Sequence, residues 1–247
     1  MIKATMFCLS ILLLVGCGGR SKDDSKQTKS SAKPNATLKE KPTINVYIEN
    51  SGSMDGYVKG VTEFEQTIYN YLSDIKISGI TDNLNLLYIN SDAIPYASTA
   101  DADVIADFIK KLEPNTFKQR GGNRGFSDIA NVIKTILAET ESNKIAILVT
   151  DGIFSPGKGK DATEYFAIQQ IGIKNTMAEH LKKHPNTAII VYQLYSNFNG
   201  IYYNNIDTKI RINEQRPYYI WIMGDAQQLA KLRSEVPESK FNGNGVA

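Results

Sequence analysis

The 247-residue chain is poor in the residues that staple small folds or grip transition metals, with two cysteines and two histidines in all. Cys8 and Cys17 give no disulfide framework, so stability must come from a buried core, and about two hundred residues suffice for one. His180 and His184 stand four apart near a helix end, as zinc ligands can, but no third histidine joins them and Pro185 closes the helix. They read as solvated surface. No apolar run is long enough to span a bilayer comfortably; the longest ends at Ile11-Leu12-Leu13-Leu14-Val15. A basic face is also lacking. Seven basic residues against three acidic ones fall between Gly18 and Lys41, which leaves 20 basic and 23 acidic residues from Pro42 onward. The overall +2 therefore belongs to the leading segment, and the remainder has no patch suited to nucleic acid.

Lys3 followed by a short apolar core has the form of an export signal. Its end, Leu14-Val15-Gly16-Cys17, resembles a bacterial lipobox, which implies cleavage before Cys17 and a lipid on that cysteine. An ordinary signal peptide containing a cysteine is the plainer alternative. Residues 18–41 are Ser, Lys, Asp, Gln, Thr and Pro with almost nothing apolar, a tether that cannot bury enough surface to fold. The expected organisation is a signal peptide over 1–16, a lipidated cysteine and tether over 17–41, one domain over 42–236 and a tail over 237–247. Lys22-Asp23-Asp24 is similar to the charged export signals of Bacteroidetes surface lipoproteins; a solvated charge run in a linker explains it equally well. The implied location is the cell envelope, lipid-anchored at the outer membrane, on its periplasmic side or at the cell surface.

After Pro42 the pattern alternates. Thr43 to Ile48, Leu84 to Ile89, Ile145 to Val149, Ala188 to Tyr192 and Tyr219 to Met223 are short β-branched or apolar runs of the kind a sheet buries on both faces. Ile94-Tyr96 suggests an edge strand. Between the runs, apolar residues recur at three- and four-residue steps: Val61 to Ile75, Val104 to a stop at Pro114, Ile129 to Leu137, and 164–183 with a break near Gly172. A last helix is expected from Asp225 to about Ser234. Polar, Tyr-rich 197–216 reads as an inserted β-hairpin. The expected fold is α/β, a doubly wound, mostly parallel sheet with helices on both faces.

In such sheets ligands bind beyond the carboxyl ends of the strands. Three oxygen-rich segments fall there: Glu49-Asn50-Ser51-Gly52-Ser53-Met54, Gly121-Gly122-Asn123-Arg124-Gly125-Phe126-Ser127-Asp128, and Thr150-Asp151-Gly152. Their order and context resemble the von Willebrand factor type A family across about 42–235. That family carries Asp-x-Ser-x-Ser after the first strand, a threonine opening a later helix, and an aspartate, often as Thr-Asp-Gly, after the fourth strand. The resemblance implies a metal-ion-dependent adhesion site formed by Ser51, Ser53, Ser127, Asp151 and Glu49, with Asp128 and Asp55 as outer neighbours. The ion would be magnesium, or manganese or calcium.

The residue chemistry agrees. Magnesium favours about six oxygens and keeps several waters. Two hydroxyls two residues apart in an extended loop point the same way. Mostly neutral ligands leave the ion charge to spend on an acidic group of a protein partner. Glu49 departs from the family aspartate by one methylene, and Ser127 lacks the methyl that fixes a threonine rotamer. The same residues also suit plainer roles, with Ser127 or Asp128 capping a helix and Gly52 and Gly152 forming turns. Tyr202, Tyr203, Tyr218 and Tyr219 suit either a protein-binding face or cross-strand pairing in the hairpin. The functional expectation is a non-enzymatic binding module; a metal-free scaffold is the alternative. A metal-dependent phosphohydrolase would need an acidic nucleophile or clustered Asp and His, where the first loop offers Ser-Gly-Ser.

Overall fold

The computed structural model describes residues 40–125, 128–140, 143–153, 162–204, 208–237 and 241. Residues 1–39, with the signal segment, Cys17 and most of the tether, lie outside the described residues, as do Ser127 and most of the expected tail.

Thr43–Glu49 (β1) is extended because its branched and aromatic side chains suit a pleated, buried surface, and all but Thr43 are buried. A 3₁₀ helix, Gly52–Gly56, follows at once. Glu63–Ser78 (α1) starts at Thr62, whose hydroxyl accepts from the Glu65 N–H, and stops at Gly79, which adopts the left-handed conformation (φ 66°). Leu84–Ile89 (β2) and Ala93–Ala97 (β3) come next, then Ala102–Lys110 (α2), capped by Asp101. Pro114 opens a further short helix, Pro114–Gln119 (α3), besides ending the preceding pattern, because a proline at the first helical position loses no hydrogen bond.

Ile129–Glu139 (α4), Lys144–Thr150 (β4) and Ala162–Lys183 (α5) follow. α5 is continuous through Gly172, where a Cβ would lie 3.2 Å from that of Ala130. That glycine permits close approach to α4 and makes no break. Thr187–Tyr203 (β5), Lys209–Asp225 (β6) and Ala226–Glu235 (α6) complete the described elements.

The sheet order is β3-β2-β1-β4-β6-β5. β1 pairs in parallel with β2 and β4; β3 is antiparallel to β2, and β6 is antiparallel to both β4 and β5. The fold is thus α/β with a six-stranded mixed sheet in which four strands share one direction. The expected inserted hairpin is part of a longer one. Ala188–Tyr192 and Tyr219–Met223 are two arms of a single antiparallel ribbon, Thr187 opposite Asp225 and Tyr203 opposite Lys209. Buried apolar runs carry no sign of strand direction, so the two arms read alike in sequence.

Successive β1 side chains enter different cores. Ile44, Val46 and Ile48 pack with Phe64, Ile68 and Leu72 of α1, Phe108 of α2 and Leu229 of α6. Tyr47 packs with Ile129, Val132 and Ile133 of α4 and Leu148 of β4, against which Ile173 and Met177 of α5 lie. Phe241 is buried too, its ring 4.7 Å from Tyr71 and 4.9 Å from Tyr192, so the packed domain extends past residue 236.

Candidate metal centre

The carboxyl ends of β1 and β4 lie side by side, Ile48 opposite Val149, and bring the first and last oxygen-rich segments together. Ser51, still extended, leads into the 3₁₀ turn. Its Oγ lies 3.0 Å from that of Ser53, and both residues are buried. The loop is therefore wound where an extended one was expected, yet the two hydroxyls still meet.

Asp151 is buried beside them. One carboxylate oxygen accepts from the Ile153 N–H at 2.9 Å. The Ser53 hydroxyl faces the carboxylate and favours its charge, but Oδ2 accepts no hydrogen bond of good geometry among the described residues. Burial dominates and raises the Asp151 pKa, with the Ile153 amide, Ser53 and Arg216 opposing. Gly152 holds a left-handed φ of 67° with Tyr219 at 3.3 Å from its would-be Cβ, so the Thr-Asp-Gly turn needs its glycine.

Glu49 is buried and accepts a hydrogen bond from the Thr150 hydroxyl. The same hydroxyl accepts from the Gly152 N–H at 2.9 Å. Its carboxylate is thereby tied to β4. Asp128 caps α4, accepting from the Asn131 N–H at 3.0 Å. Ser127, the expected third hydroxyl, lies outside the described residues.

Asp55 pairs with Arg124, whose part in the site the sequence does not signal. Burial raises the Asp55 pKa, and the Arg124 charge works against that rise. The Arg124 guanidinium also donates to the carbonyls of Asn50 (2.5 Å) and Ser51 (3.2 Å), while its own carbonyl accepts from the Gly52 N–H at 2.9 Å. Behind it, the Asn90 amide donates to Asn50 Oδ1 (2.9 Å) and to the Gly121 carbonyl (3.0 Å). Gly121 and Gly122 both have positive φ, and a Cβ on Gly122 would strike Asn90. Three separate loops are thus bound together by backbone and amide groups.

The distal half of the β5–β6 ribbon runs beyond the sheet rim, since Thr150 ends its pairing opposite Tyr219. It bends onto the first loop. A Cβ on Gly200 would sit 2.6 Å from Gly56 Cα, one on Gly56 would overlap Phe198, and one on Gly52 would be 3.4 Å from the Tyr203 hydroxyl. The four tyrosines divide accordingly. Tyr218 is core, Tyr219 flanks Gly152, Tyr202 lies under the Arg216 guanidinium (4.0 Å), and Tyr203 flanks Gly52. In the ribbon register Tyr202 faces Ile210, Tyr203 faces Lys209 and Tyr218 faces Leu194, so none of these three pairs across strands with another tyrosine.

The donor set fits a hard divalent cation: two hydroxyls 3.0 Å apart and a buried carboxylate oxygen still able to accept. Among the described residues, no group of three or more His, Cys, Asp or Glu side chains gathers in a way that would hold a metal ion. His180 and His184 stack with ring centroids 4.7 Å apart, and His180 Nε2 lies 3.1 Å from the Thr187 hydroxyl. No protein-family model matches the chain, and no curated protein matches it.

Proposed function

We propose that the chain is a lipid-anchored envelope protein whose domain belongs to the von Willebrand factor type A type, doubly wound with helices on both faces. It binds magnesium, or manganese or calcium, and through that ion an acidic group of a protein ligand. Ser51, Ser53 and Asp151 are the direct or water-bridged ligands, joined by Ser127; Glu49 acts from behind. The observation that carries this reading is the buried Asp151 Oδ2 without a hydrogen bond among the described residues, beside two hydroxyls that already face each other. A buried acceptor left so is costly unless something completes it. The two separate cores that share β1 support the doubly wound arrangement. When bound, the ion supplies an open coordination position that attracts an anionic oxygen. The chain's own residues orient it, exclude bulk water and limit the charge that neutralises it.

A metal-free interaction scaffold draws on one contrary observation, the hydrogen bond that already engages Glu49 with Thr150. Thermal melting of the purified full chain separates the two readings. A cation bound to the folded state alone, at a hundred times its Kd, stabilises it by about 2.7 kcal/mol. For a domain of this size that raises Tm by roughly 5–10 °C. A curve unmoved by millimolar magnesium, manganese and calcium favours the scaffold.

A further inference from the structure

The two edges of the sheet are unlike. β3, at one edge, is five residues long and carries Pro95, so it offers a visiting strand little to pair with. β5, at the other, runs for 17 residues with no proline and no charged side chain, and its register against β6 has no bulge. Shortness, proline, charge and bulges are what keep a sheet edge from pairing, and β5 has none of them. One residue stops this edge part-way. The Asn197 N–H donates to one Glu63 carboxylate oxygen at 3.0 Å, and the Asn197 side-chain amide donates to the other at 3.0 Å. The Asn197 N–H therefore points away from β6, and in an antiparallel ladder so do those of every second residue before it: Tyr195, Gln193, Val191 and Ile189. Among the described residues these four N–H groups meet no acceptor. The Thr187 N–H is taken by the His184 carbonyl at 3.0 Å, which closes the open stretch at its start. Val191 is 46% exposed and Tyr195 36%, and the period of two puts them on one face of the strand.

We propose that β5 is a dimerisation edge: a second copy of this chain pairs antiparallel with Thr187–Tyr195 about a two-fold axis at Val191, joining the two sheets into one. The position of the axis follows from the open length, whose midpoint is Val191. Val191 then meets its own counterpart, Ile189 meets Gln193 and Thr187 meets Tyr195, as a two-fold interface requires. An axis at Gln193 would drive Ile189 against Asn197, where Glu63 already holds the edge. Charge favours a second copy as the occupant. His180, Lys182 and Lys183 close α5 just before the open stretch, and Glu63 stands at its far end. Antiparallel self-pairing brings the basic end of each copy to the acidic end of the other, twice over. The strand between is neutral, so no like charges face each other along it.

The test is sedimentation of the purified full chain over a series of concentrations, for wild type, Val191→Lys and Ile77→Lys, with disulfide mapping of oxidised Val191→Cys and Tyr195→Cys. Wild type should show a reversible monomer–dimer equilibrium without larger species, because a two-fold interface closes on itself. Val191→Lys sets two ammonium groups against each other at the axis and should weaken dimerisation about tenfold or more. Ile77, 82% exposed near the end of α1, is the control, and its variant should dimerise like wild type. The two Val191 Cα atoms would lie about 5.5 Å apart, within disulfide reach. Oxidised Val191→Cys should therefore link two copies through the introduced cysteines, identified by mass spectrometry of the linked peptides so that Cys8 and Cys17 are told apart. Tyr195→Cys, which faces Thr187 of the second copy, should not link. A chain monomeric at every concentration overturns the proposal and leaves the edge to an extended segment of another protein. Dimerisation that Val191→Lys leaves unchanged, or equal linking at both positions, overturns it too. Should Val191→Lys not fold, the disulfide pattern decides alone. Ion binding enters none of these readouts, so this inference and the cation reading fail separately.

Discussion

The first loop is held by one arginine that makes three kinds of contact. Arg124 donates to two carbonyls of the loop, pairs with Asp55 and offers its own carbonyl to Gly52. Removing it leaves a half-buried carboxylate and two carbonyls without their donor, so Arg124→Ala should cost about 2–3 kcal/mol in urea denaturation. Cation affinity should fall about tenfold, because the serines lose the frame that orients them. A variant as stable as wild type would show that water replaces the guanidinium. Ser51, Ser53 and Asp151 were legible in the sequence because each follows a strand within a short oxygen-rich string. Arg124 was not, since its role depends on a loop 74 residues away arriving at hydrogen-bond distance. Glu49 was legible as an acid of the site, but its hydrogen bond to Thr150 depends on the register of β1 against β4.

Elements begin and end here for local reasons that the sequence states unevenly. Thr62-Glu63-Phe64-Glu65 has the spacing of a capping box: Thr62 accepts from the Glu65 N–H, and the Thr62 backbone favours the charged Glu65 carboxylate. Burial nonetheless raises the Glu65 pKa to about 7 from 4.5, so the folded state holds a proton that the unfolded chain has lost. The stability this gives is present below about pH 4.5 and is lost as pH rises through about 7. Glu65→Gln keeps the box and removes the titration. At pH 8 it should be more stable than wild type by about 1–2 kcal/mol after allowance for solvent screening, with little gain at pH 4. Denaturation curves at the two values check this, and parallel pH profiles would refute it. The helix periodicity of α1 and α4 was plain in sequence. The 3₁₀ turn was not, being too short for a periodic signal, and α3 was hidden because Pro114 both stops one helix pattern and starts another. The β5–β6 ribbon was hidden for a different reason: two apolar runs separated by polar residues have the form of parallel strands with an insertion, and only pairing reveals their direction.

On the whole-molecule scale the chain divides its charge, with an excess of lysine and arginine before Pro42 and a slight acidic excess after it. In the proposed reading the basic leading segment favours anionic headgroups, while the domain carries the cation chemistry. No helix among the described residues is long and apolar enough to cross a membrane. Attachment in the proposed reading depends on Cys17, so Cys17→Ser should abolish labelling by radioactive palmitate and release the chain from membranes; retained label and membrane association would remove the anchor from the account. The central claim is that Ser51, Ser53 and Asp151 complete their coordination with a divalent ion. Calorimetric titration of the full chain with magnesium, manganese and calcium, beside Asp151→Ala and Ser53→Ala, tests it most directly. The account predicts saturable binding at one site in wild type, at least tenfold weaker in Ser53→Ala and absent in Asp151→Ala, with both variants folded. No saturable heat with any of the three ions, or equal affinity in wild type and folded Asp151→Ala, would contradict it.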